Sequence, residues 1–160
     1  MNTPSFILSK ACLVASRPFL VVAFIAVIAG GLVSAVTAHD PQRAMMWLSA
    51  YLVLVVGVAQ AAFGLGQALL ARVPPGAGFR WLQCALFNAG SALVIASQLI
   101  PMHALVYPGT VLFGVSTALF LVGTRHGRHP RWLWAYRGLL GFLALSSLVG
   151  IGLSWMLHHG

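Results

Sequence analysis

The sequence predicts an all-α fold: a polytopic integral-membrane bundle of five transmembrane helices, with the N-terminus inside and the C-terminus outside. Three observations lead there. Five runs, Phe19–Ala38, Ala44–Ala71, Trp81–Met102, Ala104–Thr124 and Gly138–Leu157, contain no Asp, Glu, Lys or Arg, and roughly 20 apolar residues are enough to cross a bilayer. Mean hydropathy is +0.94 and only 6% of residues are charged, where a soluble domain carries about a quarter. Eight of the nine Lys and Arg residues fall in alternate gaps of a five-span layout.

Those cations set the orientation. Lys10 and Arg17 precede the first span, Arg72 and Arg80 separate the second from the third, and Arg125, Arg128 and Arg131 separate the fourth from the fifth, which Arg137 opens. The other gaps hold only Arg43, beside Asp40, and His103. Basic loops stay on the cytoplasmic side, so the first, third and fifth spans are expected to run outward. Merging or dropping a span would scatter the charges.

The chain reads as a single membrane domain over 1–160. Residues 1–17 are expected to form a cytoplasmic or interfacial segment that turns into the membrane at Arg17-Pro18. A competing reading takes Phe19–Val33 as a signal-peptide core and Val36-Thr37-Ala38 as its cleavage site. Both leave the later topology unchanged. Asp40-Pro41, Pro74-Pro75-Gly76 and Tyr107-Pro108-Gly109 are turn signals between spans. Trp81, Trp132 and Trp134 map to the inner interface, and Trp47, Tyr107 and Trp155 to the outer one, as aromatic belts do.

A faint internal pattern is also visible, which duplication or convergent composition (Gly for packing, Arg-Trp at the interface) would each produce. Gly57, Ala61, Phe63 and Gly66 match Gly114, Ala118, Phe120 and Gly123 at one offset, and Arg80-Trp81-Leu82 and Gly90 match Arg131-Trp132-Leu133 and Gly141. This pattern suggests a tandem hairpin repeat over 44–102 and 103–157, related by an axis along the membrane normal.

Asp40 is the one acidic residue, and the net charge is +8. The cations sit beside spans, so anionic lipid headgroups, not nucleic acid, are the expected partner. Arg72, Arg80, Arg125, Arg128 and Arg131 are the residues expected to meet them. Cys12 and Cys84 map to the reducing side, where small apolar filling is the expected role and a disulfide is not.

Inside the spans a few polar side chains stand out. Gln60 and Gln67 lie seven apart on one helical face, shared with Phe63 and Gly64. Asn88, Ser91 and Gln98 recur on the third span. They serve either as interhelical polar contacts, which contribute roughly 0.6–2 kcal/mol each, or as the wall of a substrate path. No carboxylate lies within a span, which argues against a proton-driven transporter acting alone. No Ser-His-Asp grouping, phosphate loop or Cys-x-x-Cys appears, so no enzyme activity is expected.

Met45, Met46, Met102 and Met156, with His39, His103, His158 and His159, all map to the outer face. Thioether and imidazole suit copper, and imidazole also suits haem iron. His39, Met102, His103, His158 and His159 are the candidate ligands, with copper or haem as the cofactor. His126 and His129 more simply extend the basic inner face.

The leading expectation is a non-catalytic accessory or structural subunit of a membrane complex, packed against other membrane chains or copies of itself. One alternative is a small oligomeric permease or facilitator with Gln60, Gln67 and Asn88 lining a path. Another is an outer-face copper or haem handling protein. A multi-pass place in a cell membrane, such as a bacterial inner membrane, fits all three.

Overall fold

The computed structural model describes residues 10–100, 102–125, 127 and 130–159, with backbone alone at 11, 150, 151 and 153–159. Among the described residues there are five helices long and apolar enough to cross a membrane. They are α1 (Lys10–Val36), α2 (Arg43–Leu70), α3 (Ala77–Leu99), α4 (His103–Gly123) and α5 (Pro130–His159). A lipid environment offers no partners to a bare backbone, so helices satisfy every internal N–H and C=O within the segment itself. Among the described residues the only extended pairing is a bridge between Ala71 and Gly127. It ties the α2–α3 loop to the α4–α5 loop, so the two arginine-bearing turns share one end of the bundle, here called the basic end.

At that end the helices outrun the charge-free segments. α1 begins at Lys10 and α3 at Ala77, before Arg17 and Arg80, and α5 begins at Pro130, just before Arg131. Long basic side chains reach from a helix to the headgroups while their stems stay on apolar surface. The expected turn at Arg17-Pro18 is absent, because α1 continues through Pro18. Proline removes one helical N–H, and here its own carbonyl faces the Cys84 thiol of α3 at 3.8 Å. Pro130 opens α5, where a missing N–H is harmless.

α2 carries a feature with no visible sequence signal: Leu52–Ala59 is wound as a π-helix between α-helical ends. Such segments often accompany functional sites, and this one borders the cavity described below.

The closest-packed seams are α1 on α2 and α3 on α4; α5 lies against α4 and the basic half of α2. Small residues make both seams. A Cβ placed on Gly30 of α1 would come within 2.9 Å of the Ser49 carbonyl, and one on Gly64 of α2 within 2.5 Å of Phe19. Across the other seam, a Cβ on Gly90 would sit 2.8 Å from the Gly109 carbonyl. Glycine allows such approach, and membrane helices gain dispersion contacts from it. Hydrogen bonds to backbone carbonyls stitch the pairs: Ser49 to Gly30 at 2.7 Å, Ser116 to Gln83 at 2.9 Å and Tyr136 to Phe63 at 3.1 Å.

The core is aromatic. Phe19, Phe63, Phe87 and Phe120 are fully buried, one from each of the first four helices, and Tyr136 joins them from α5. Phe63 is the hub, with ring centroids 6.0 Å from Phe87, 5.4 Å from Phe120 and 6.3 Å from Tyr136. Phe63 and Phe120 hold matching places in the suggested repeat, and they touch. Gly90 and Gly141 also match but differ in surroundings: Gly90 is clamped in a seam, while a Cβ on Gly141 would meet nothing within 4 Å.

Candidate functional site

A cavity of about 340 Å³ opens in the half of the bundle away from the basic end. α2 contributes Trp47, Tyr51 and Val55, and α3 contributes Val94 and Gln98. α4 adds Val106, Thr110 and Phe113, and α5 adds Leu143, Ser146 and Ser147. The lining is an apolar wall carrying a phenol, an indole, an amide and three hydroxyls. Binding sites for small molecules have this composition and roughly this size, from about 300 Å³ upward.

Local structure sets the lining. Trp47 and Tyr51 lie one helical turn apart, and their rings stack with centroids 5.0 Å apart. Tyr51 immediately precedes the π-helical segment, in which Val55 lies. Thr110 donates to the Val106 carbonyl at 2.9 Å and Ser147 to the Leu143 carbonyl at 2.9 Å. Each hydroxyl proton is therefore engaged on its own helix, leaving oxygen lone pairs toward the cavity.

Phe113 forms part of the floor. Its ring lies 4.8 Å from that of Phe87, which continues into the Phe63 cluster. Buried amides are interleaved with these rings. Gln60 and Gln83 are fully buried, and Gln67 is nearly so. Gln60 Oε1, Gln67 Nε2 and both amide atoms of Gln83 have no hydrogen-bond partner in the protein. Each such atom costs about 1–3 kcal/mol when left unmet. Gln67 Nε2 packs directly against Gly123, where a side chain would have no room.

The polar residues expected from the sequence are only partly brought together. Gln60, Phe63, Gly64 and Gln67 all face inward on α2, as their spacing implies. Gln60 and Asn88 do not bond to each other. Gln60 Nε2 donates to Cys84 Sγ at 3.5 Å, and Asn88 Nδ2 donates to the Cys84 carbonyl at 2.7 Å on its own helix. A short amide side chain reaches back one turn more readily than across a seam. Ser91 is buried, and Gln98 is exposed at the cavity mouth.

Sequence reasoning missed Gln83, which reads as an interfacial residue beside Arg80 and Trp81. It also missed Ser146, and missed Thr110 and Ser147, since hydroxyls that bond their own helix carry no periodic signal. Trp47, read as an interface anchor, also lines the cavity.

His39, Met102 and His103 are exposed. Among the described residues no group of three or more His, Cys, Asp or Glu side chains is gathered closely enough to hold a metal ion. The side chains of His158 and His159 lie outside the described residues, as do His126, Arg128 and His129. The remaining candidate lipid ligands lie at the basic end: Arg72, Arg125 and Arg131 are exposed and Arg80 is half-buried. Arg72 and Arg125 border one shallow pocket. Neither Cys12 nor Cys84 is in a disulfide, and the Cys12 thiol donates to the Ala68 carbonyl at 3.4 Å.

The chain matches no protein-family model, and neither a curated protein nor a solved structure matches it. The class that the fold defines is a five-helix membrane bundle, closed by aromatic packing toward its basic end and hollow in the opposite half.

Proposed function

We propose that this protein is a small membrane facilitator that admits a neutral, hydrogen-bonding solute through the cavity of the hollow half. The observation that supports it most is the presence, in one small bundle, of that cavity and of the unmet buried amides of Gln60, Gln67 and Gln83. Buried amides without partners are costly in a closed bundle. They are accounted for if a second arrangement of the helices exposes them to solute or water. Oxygen lone pairs and one amide at the cavity suit an uncharged solute, and no ionisable carboxylate in a span couples its passage to protons.

The test is reconstitution into proteoliposomes, with stopped-flow permeation of urea, glycerol and small amides. Solute-selective flux that falls when Thr110→Phe fills the cavity is the expected result. No flux above that of protein-free vesicles for any of them argues against the reading.

A second reading, a non-catalytic subunit packed against other membrane chains, draws on α5. Gly138, Gly141 and Gly152 are exposed, and a Cβ at any of them would meet nothing within 4 Å. Small residues on an open face let another helix approach closely. Stoichiometric co-purification of a partner or a second copy, lost in Gly141→Ile, is the result expected of that reading.

A further inference from the structure

We propose that the groove between α1 and α3 at the basic end is a built site for one anionic glycerophospholipid, held by Arg17, Arg80 and Trp81. This is separate from the cavity of the hollow half and does not depend on it.

The groove measures about 400 Å³. Val14, Pro18, Val21 and Val22 form its α1 wall, and Ala77, Arg80 and Trp81 its α3 wall. It is apolar along most of its length and carries a guanidinium on each side. Such a division suits a phospholipid, whose phosphate is anionic and whose acyl chain is hydrocarbon. Trp81 is 61% exposed, and an indole at headgroup depth is amphipathic in the same sense.

Charge complementarity selects the occupant. The one acidic residue, Asp40, lies in the α1–α2 loop at the opposite end. Arg17 and Arg80 therefore have no side-chain carboxylate to neutralise them. Arg80 is half-buried, and its Nε is fully buried with no hydrogen-bond partner. A desolvated guanidinium nitrogen of this kind calls for an anionic acceptor, and planar guanidinium groups match phosphate oxygens in paired hydrogen bonds. Basic pockets between membrane helices on the cytoplasmic side hold anionic headgroups by the same physics. A zwitterionic lipid would bring its own ammonium to a site already holding two cations, so phosphatidylglycerol-type headgroups are favoured over choline.

The experiment reads Trp81 fluorescence in the full-length protein, reconstituted in phosphatidylcholine vesicles with a minor fraction of phosphatidylglycerol. Bromine is placed on the acyl chains of one lipid or the other. The Trp81 component is taken as the difference between the parent protein and Trp81→Phe. Brominated phosphatidylglycerol is expected to quench that component well beyond its mole fraction. In Arg17→Gln with Arg80→Gln the relative affinity should fall about five-fold for each arginine removed, as expected for roughly 1 kcal/mol per cation. Arg125→Gln with Arg131→Gln removes the same charge from the same end and should leave the quenching ratio unchanged. Circular dichroism confirms that each variant is folded. Quenching that follows mole fraction in the parent protein would overturn the proposal. So would an equal loss in the Arg125 and Arg131 variant, which would mean diffuse surface charge with no built site.

Discussion

The Tyr136 hydroxyl donates to the Phe63 carbonyl at 3.1 Å, while the Tyr136 ring lies over Gly66 one turn further along α2. One residue of α5 therefore reads both the backbone and the missing side chain of α2. Tyr136→Phe removes only the bond and is expected to cost about 0.6 kcal/mol, with about 1.7 as a ceiling. Gly66→Val places atoms where a Cβ alone would lie 2.5 Å from the ring, and should dislodge α5 and cost more. Reversible unfolding in mixed micelles ranks the two. An equal loss from both would mean that the ring contact contributes nothing.

Gln83 is fully buried, and both its amide atoms lack partners. Leu has similar volume and no polar atoms, so Gln83→Leu is expected to stabilise the bundle by about 1–3 kcal/mol, the cost of an unmet buried polar group. Under the facilitator reading the same change lowers solute flux. Lower stability in the same unfolding assay would mean the amide is satisfied by ordered water, which the change displaces.

Asn88 bonds its own helix, whereas Gln60 crosses to α3 through Cys84. Asn88→Leu should therefore change stability by less than about 0.5 kcal/mol, as substitutions away from key contacts do. Gln60→Ala should cost more, because it empties space at a fully buried position. The reverse order in a thermal melt would place the interhelical bond on Asn88.

α1 packs along α2, and Phe19 is fully buried with its ring 5.3 Å from that of Phe120. Cleavage after Ala38 would remove that ring from the core. Intact mass of the protein purified from membranes is expected to include the residues before Ala38. A chain beginning at His39 that still behaves as a monodisperse folded protein would show that α1 is dispensable.

Orientation is tested by cysteine labelling in intact cells, in a Cys12→Ser background. Gly76→Cys and Arg125→Cys should resist a membrane-impermeant reagent, and Gln42→Cys should react. Gly76 has open space around it, whereas a Cβ on Gly127 would lie 2.8 Å from Leu133, so Gly127 is the poorer position. External labelling at Gly76 would invert the topology.

Span number, helical class and the clustering of arginines at one end were legible in the sequence. They depend on free energies that add along the chain: the cost of a charge in hydrocarbon and the need of each backbone group for a partner. The inward face of α2 was legible for the same reason, since Gln60, Phe63, Gly64 and Gln67 follow the helical period. Which helices pair closely was not. The α1–α2 and α3–α4 seams depend on where Gly30, Gly64 and Gly90 meet another backbone, and apolar helices offer many glycine registers of similar appearance.

The cavity belongs wholly to the tertiary structure. Trp47, Thr110 and Ser147 come from three helices and read locally as an anchor and two self-satisfied hydroxyls, while Gln98 of α3 is the one lining residue whose polar spacing stood out. Only the packing of α2, α3, α4 and α5 brings them around one space. The Arg17–Arg80 groove follows the same rule. The sequence put both arginines on one side of the membrane because charge burial is a local cost. The fold set them on facing walls of one groove because only the packing of α1 against α3, where the Pro18 carbonyl faces the Cys84 thiol, brings the two helices together.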